Sequence, residues 1–252
     1  MPKIIWGMNP VLEALKSTPD LVEEIIIEKR QLKGKIYQIL ERAKKAGILV
    51  KIYAKEPFHP PKVPPHANTQ GIVAYLREFP YVTLEDLVNN YQSLVETPLL
   101  LALDEIEDPQ NLGSILRLAD SAGVHGVIIP KHRSCQVTGT VIKVSSGSAF
   151  NVPIARVTNL KEALLFFKER GIWILGLTPR AEKTIYQIDL KIPLLIIAGN
   201  EERGIRPSLL EKCDLLAKIP MRGKVESLNV AQAVGIALFE VLRQRYYSLS
   251  SN

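Results

Sequence analysis

Short apolar runs alternate along the chain with stretches of helical spacing. Residues 3–6, 22–28, 48–54 and 71–76 read as strands, and the second of these carries the β-branched run Ile25-Ile26-Ile27. Between them, residues 11–16 and 35–45 have helical periodicity, with Ile36, Ile39, Leu40 and Ala43 on one side of the second helix. Asn9-Pro10 predicts an N-cap followed by proline at the first helical position, and Gly47 predicts a C-cap. The proline-rich segment 57–65 reads as a loop. The pattern predicts a small α/β module over residues 1–78.

Residues 79–96 change character. They hold three acidic residues and no Lys or Arg, with a short helical pattern at 84–91, and are expected to form a linker. From Pro98 the alternation resumes over residues 97–252. Strands are predicted at 99–103, 124–129, 154–157, 172–177, 194–198 and 215–219, and helices at 112–122, 137–145, 160–170, 207–212 and 230–243. Near-continuous apolar strands alternating with helices imply a parallel sheet covered on both faces. Ligands of such sheets sit at the carboxyl ends of the strands. No tandem repeat or low-complexity tract interrupts the pattern.

Composition adds little to the fold and something to the partner. The chain has 252 residues, with 46% hydrophobic and 23% charged, ordinary values for a globular protein. The net charge of +6 favours an anionic partner, nucleic acid before a membrane surface, because no basic amphipathic helix is present. Lys29, Arg30, Lys33 and Lys35 cluster in one loop-to-helix region that could meet RNA phosphates or form a solvated charged face. Cys135 and Cys213 lack metal-ligand spacing, and His59 and His66 have no carboxylate or thiol beside them, so no metal is expected. With no apolar N-terminal core and no apolar run of about 18 residues, the expectation is a cytoplasmic soluble protein.

Three polar loops follow strand ends. In Asp104–Arg117, Asp108-Pro109 makes a turn, Asn111 could cap the helix, and Arg117 lies nearly two turns in, on roughly the same face as Asn111. Alone, this segment could be a helix start with a salt-bridged arginine. Gly199-Asn-Glu-Glu-Arg-Gly204 follows a strand directly, with glycines suited to a tight cradle and Glu201 at the strand end. The third loop, Ile219-Pro-Met-Arg-Gly-Lys-Val-Glu-Ser-Leu-Asn-Val-Ala231, runs into the last helix, with Ser227 or Asn229 as its cap or as ligand-binding groups. There is no Gly-x-Gly-x-x-Gly and no Walker lysine, which argues against dinucleotides and nucleoside triphosphates.

Asn111-x-Gly113-x-x-x-Arg117, Gly199-Asn-Glu201-x-x-Gly204 and Ile219-Pro-Met-x-Gly223-x-x-x-Ser227-Leu-Asn229 together resemble the three ordered motifs of the SpoU (TrmH-type) RNA ribose 2′-O-methyltransferases. The resemblance spans nearly the whole chain. Ile5-Trp-Gly-Met-Asn-Pro-Val-Leu-Glu-Ala-Leu is similar to the start of the L30e-like RNA substrate-binding domain of some members. Ser146-Gly-Ser-Ala and residues 152–160 resemble the RlmB-type enzymes, which modify a guanosine of 23S rRNA.

The resemblance implies a SPOUT-type catalytic domain with a C-terminal deep trefoil knot, S-adenosylmethionine as cofactor and a homodimer. It assigns Arg117, Asn111, Glu201, Ser227 and Asn229 to the catalytic site. It assigns Leu177, Thr178, Gly199, Asn200, Ile219, Met221, Ser227 and Leu228 to the cofactor, largely through backbone groups. Arginine is a poor base, so Arg117 is expected to orient the 2′-hydroxyl and a neighbouring phosphate. With no Cys or His in the motifs, direct displacement is expected in place of a covalent enzyme intermediate. The alternatives are a tRNA ribose methyltransferase, a knotted base methyltransferase, and an RNA-binding protein that retains the fold without catalysis.

Overall fold

A computed structural model describes residues 3–31, 34–54, 57–223 and 227–247. In chain order the elements are β1 (Lys3–Trp6), α1 (Met8–Ser17), β2 (Val22–Glu28), α2 (Lys35–Lys45), β3 (Leu49–Tyr53), β4 (Ile72–Leu76) and α3 (Leu84–Gln92). There follow β5 (Leu99–Asp104), α4 (Pro109–Ser121), β6 (Gly126–Pro130), α5 (Gly139–Val144), β7 (Ile154–Val157) and α6 (Leu160–Lys168). The chain continues through β8 (Trp173–Leu177), β9 (Leu194–Gly199), α7 (Pro207–Leu210), β10 (Leu215–Ala217) and α8 (Val230–Tyr246). Two compact units result, residues 1–80 with 137–151, and residues 81–136 with 152–252.

The first unit is a four-stranded sheet in the order β1-β4-β2-β3. Only the β2–β3 pair is parallel. Ile25 and Ile27 are fully buried, and α1 and α2 pack on each other in the same unit, where Val11, Leu15, Ile36 and Ile39 are buried. A separate apolar cluster joins Trp6, Val63 and Val73, with Phe58 and Tyr75 at its edge, so the proline-rich loop covers part of the sheet. Helix α1 starts earlier than Asn9-Pro10 predicts. Its N-cap is Gly7 at φ 92°, and the Met8 N–H is taken by the Gln70 side chain at 3.0 Å.

Residues 137–151, expected in the second domain, pack with the first. A Cβ at Gly139 would collide with the Ile4 carbonyl and the Trp6 ring, and the missing side chain is what lets α5 lie against β1. The expected linker at 79–96 is likewise structured from Tyr81 onward. Thr83 and Asp86 form a capping box at the start of α3, and Leu87, Val88 and Tyr91 enter the core of the second unit. Two of the three acidic residues that suggested a linker stand in the first helical turn, where they complement the helix dipole.

The second unit is an all-parallel six-stranded sheet in the order β10-β8-β9-β5-β6-β7. Leu99 to Leu103 and Leu194 to Ala198 are buried without alternation, as strands covered on both faces must be. Leu87, Leu164, Phe167 and Leu209 from α3, α6 and α7 join one core cluster with β5, β6 and β9. Helices α4 and α8 pack on each other, with Leu118 3.2 Å from where a Gly235 Cβ would stand. Every polar loop singled out from the sequence leaves a strand of this sheet at its carboxyl end.

Candidate active site

The three loops converge in the second unit. β5 ends at Asp104, and α4 begins at Pro109 with Asp108, not Asn111, as its N-cap: the Asp108 carboxylate accepts from the Gln110 N–H at 2.9 Å. That releases the Asn111 amide from capping. After β9, Asn200 and Gly204 form an antiparallel bridge that folds the loop back on itself. A Cβ at Gly199 would run into the backbone of Gly204 and Ile205, so only glycine allows this closure. The Asn200 side chain holds the loop from within, accepting from the Glu202 N–H at 2.9 Å and donating to the Glu105 carbonyl at 3.1 Å. Asn229 caps α8, accepting from the Ala231 N–H at 2.9 Å.

These loops are tied to each other by a short polar chain. The Asn229 amide donates to Asn111 Oδ1 at 2.8 Å, and Asn111 Nδ2 donates to the Glu201 carboxylate. Asn229 therefore serves as a cap with its oxygen and as a site residue with its nitrogen. The pairing joins positions 118 and 90 residues apart, so one contact from each loop meets at a single place.

Glu201 also lines a cavity of about 420 Å³. All eight positions that the family resemblance assigns to the cofactor line the same cavity, among them Leu177 and Thr178 at the end of β8, Gly199 after β9, and Leu228 before α8. Its volume falls in the range of small-molecule sites, and it combines apolar walls at Leu177, Ile219, Leu228 and Val230 with charged groups at Arg180, Glu201, Glu202 and Arg203. S-adenosylmethionine fits that lining. The apolar walls suit an adenine ring, the carboxylates suit a sulfonium and an ammonium, and the arginines suit a carboxylate.

Arg117 departs from its expected place. Six residues of α-helix turn the side chain by about 600°, which leaves it about 120° around α4 from Asn111, and it is exposed where Asn111 is half-buried. The two therefore look out from different faces of one helix. Of the basic residues assigned to RNA, Lys29 and Arg30 are exposed just after β2, and Lys35 opens α2 with its ammonium 3.1 Å from Asn9 Oδ1. Lys33 lies outside the described residues. His59 and His66 are exposed loop residues, and no cluster of metal-ligating side chains exists among the described residues.

Sequence reasoning overlooked Asp104 and Arg206. Asp104 is fully buried and accepts from Arg206 Nε at 2.9 Å and from its backbone N–H at 2.9 Å, with Nη2 at 2.6 Å. That pairing, with Asp104 as hydrogen-bond partner, raises the Arg206 pKa above its ordinary value. It locks the exit of β5 to the loop after β9. Asp104 sits at the end of a wholly apolar run, and a carboxylate there needs a buried partner. Both thiols are disfavoured as nucleophiles, since burial pushes Cys135 up and Cys213 to about 12.

Comparison with known proteins places this geometry among relatives. Residues 98–239 match the SpoU rRNA Methylase family, and residues 4–82 match the RNA 2′-O ribose methyltransferase substrate binding family. The chain is 40% identical to the 23S rRNA (guanosine-2′-O-)-methyltransferase RlmB of Yersinia pestis, over 97% of this chain and 98% of that one. It is 38% identical to the same-named enzyme of Escherichia coli K12, over 97% and 100% of the two chains. Among solved structures, the SpoU methyltransferase AviRb of Streptomyces viridochromogenes in complex with AdoMet superimposes with a TM-score of 0.81 at 25% identity, covering 97% of this chain and 91% of that one.

Proposed function

The chain belongs to the SpoU rRNA methylase family, and from that premise we propose that it methylates the ribose 2′-hydroxyl of a guanosine in 23S rRNA, with S-adenosylmethionine as donor. The observation that carries the reading is the Asn229–Asn111–Glu201 chain at the wall of the cavity. A fixed set of polar groups at that wall supports a reading in which a cofactor in the cavity meets a hydroxyl there.

The bound cofactor would supply an electrophilic methyl on a sulfonium. The chain's own residues would then align the acceptor oxygen and manage its proton, since the hydroxyl must lose H⁺ as the O–CH₃ bond forms. Glu201 and Asn111 hold each other in place, and Asn229 fixes Asn111 from the other side. Leu177, Gly199, Ile219 and Leu228 offer backbone groups to the adenosine portion, with Thr178, Asn200, Met221 and Ser227 around it. Arg117 orients the hydroxyl and an adjacent phosphate through its planar fork.

Arg117 and Asn111 look out from different faces of α4. A homodimer in which Arg117 of one copy serves the cavity of the other resolves the divergence, in keeping with the family resemblance. In this reading the loops around the cavity form the deep trefoil knot, residues 1–78 form an L30e-like module, and Lys29, Arg30, Lys33 and Lys35 contact RNA phosphates. No helix among the described residues is long and apolar enough to cross a membrane, and an rRNA substrate would place the enzyme in the cytoplasm.

The test is transfer of labelled methyl from S-adenosylmethionine to unmodified 23S rRNA and, separately, to tRNA, followed by nucleoside analysis and position mapping. The expected product is 2′-O-methylguanosine in rRNA alone. Label in tRNA alone would move the substrate assignment, a methylated base would move the chemistry, and failure to bind the cofactor would leave an RNA-binding protein.

A further inference from the structure

Glu105 occupies a place where the backbone favours another residue. It follows Asp104 at the exit of β5 with φ 55°, a left-handed conformation that glycine adopts readily and side chains with a Cβ do not. It is 6% exposed, and its Oε1 takes no hydrogen bond among the described residues. Strain and an unsatisfied buried carboxylate coincide in one side chain. Both disfavour the fold.

Three guanidiniums surround it. Arg206 Nη1 and Arg133 Nη1 stand 3.5 and 3.8 Å from Oε1, and Arg203 Nη1 stands 3.9 Å from Oε2. These are Coulombic contacts beyond hydrogen-bond length. Arg206 is committed to Asp104, whereas the Arg133 and Arg203 side chains are 77% and 74% exposed. Arg133 and Arg203 come from separate loops whose backbones are pinned beside Glu105. The Cys135 N–H donates to the Ile106 carbonyl at 2.7 Å, and Asn200 Nδ2 donates to the Glu105 carbonyl at 3.1 Å. Three cations thus face two buried carboxylates, Asp104 and Glu105, with Arg133 and Arg203 turned to the surface.

We infer that Glu105 is a positioning residue that gathers Arg133 and Arg203 into a clamp for an RNA backbone phosphate at the rim of the cavity that Arg203 lines. The inference rests on the RNA-methylation reading above. Exposed arginines lose side-chain freedom when they bind, and a fixed carboxylate behind them removes part of that loss in advance. Because the contacts to Glu105 are long, the guanidinium N–H groups stay available for phosphate oxygens. The other anion that Arg203, as a cavity-lining residue, could meet is the carboxylate of a bound cofactor, and the two can be told apart.

The decisive variants are Glu105→Gly, which relieves the backbone while deleting the carboxylate, and Glu105→Asp, which keeps the charge on a residue that tolerates left-handed φ. Steady-state methyl transfer to a 23S rRNA fragment would be measured with the full chain at several salt concentrations, beside calorimetric binding of S-adenosylmethionine and thermal melting. For Glu105→Gly the expected result is an RNA KM raised about three- to tenfold, a salt slope for RNA binding reduced by about 1, unchanged cofactor affinity, and a Tm equal to or above wild type. Glu105→Asp should recover most of the KM, and Glu105→Gly should add nothing in an Arg133→Ala/Arg203→Ala background.

A wild-type KM in Glu105→Gly would overturn the inference, as would tighter RNA binding of the kind that simple loss of a negative charge produces. Weakened cofactor binding would assign the cluster to the cofactor, and a lowered Tm with kcat and KM falling together would make Glu105 purely structural; either overturns it too. If wild type itself transfers no methyl to RNA, the functional reading fails separately, and the salt slope of RNA binding still tests the clamp.

Discussion

At the amino end of the parallel sheet, Arg245 donates to the carbonyls of Leu190, Thr97, Pro98 and Ile192 at 2.5–3.1 Å, and the imidazole of His125 accepts from the Leu99 N–H at 3.0 Å. At the carboxyl end, Arg133 and Arg203 stand 3.8 and 3.9 Å from Glu105, and Glu201 and Asn229 are exposed. One end uses its polar groups to satisfy strand-entry backbone. The other pairs Asp104 tightly with Arg206 but leaves Glu105 Oε1 without a hydrogen bond among the described residues and keeps its arginine and motif side chains at the surface. The same sheet thus separates stability from chemistry by direction along its strands, as open α/β sheets do.

The contrast breaks most visibly if a change in the proposed catalytic groups fails to alter activity. Arg117→Lys keeps the charge and loses the fork; turnover is expected to fall about 10²- to 10³-fold, with little change in melting temperature. Near-normal turnover would remove the orienting role. The amino end should behave in the opposite way. Arg245→Ala removes a donor from four carbonyls, of which Pro98 keeps the Leu194 N–H, and is expected to cost about 2–3 kcal/mol in urea denaturation, with kcat per folded molecule retained. Loss of kcat without loss of stability would erase the distinction between the ends.

Two smaller effects sharpen it. Gly199→Ala drives a methyl group into the backbone of Gly204 and Ile205, so the loop must open. Cofactor affinity measured by calorimetry should weaken at least about tenfold, equivalent to about 1.4 kcal/mol. The smallest effect concerns acidity. Burial holds the His125 pKa below its ordinary 6.5 despite the Glu96 carboxylate 3.7 Å from Nε2. The unfolded chain binds the proton at higher pH, so the stability this provides is complete above pH 6.5 and is lost as pH falls through the lowered value. Urea midpoints at pH 7.5 and 5.5 should diverge more in wild type than in His125→Asn, by about 1 kcal/mol or less. Equal divergence would mean that His125 does not titrate in this window.

Much of the sheet was legible because its strands are uninterrupted apolar runs such as residues 99–103, and all three motif loops were legible as polar breaks after such runs. The pairings were not. Asn229 meets Asn111 across 118 residues with no local trace, and an Asn beside a helix start reads as a cap whether or not it also binds something else. Asp108 takes the capping role that Asn111 could have filled. Glu105 gave no signal because left-handed backbone at a glutamate has no sequence signature. The register of α5 with β1 depended on the absence of a side chain at Gly139, a steric fact visible only once Ile4 and Trp6 are in place. Residues 79–96 read as a linker by their acidic composition, whereas the apolar spacing of Leu87, Val88 and Tyr91 is the feature the core uses.

The return of residues 137–151 to the first unit bears on synthesis. During translation the opening strands and helices emerge early, yet the piece that contributes Val141, Ile142, Ala149 and Phe150 to their unit follows only after β5, α4 and β6 have been made. The nascent first unit must therefore wait with an apolar gap while part of a different sheet leaves the ribosome. A gene cut between the two family-matched regions would leave one fragment lacking its closing segment and give the other an apolar segment that belongs elsewhere, so both halves are expected to need each other, or a chaperone, to stay in solution.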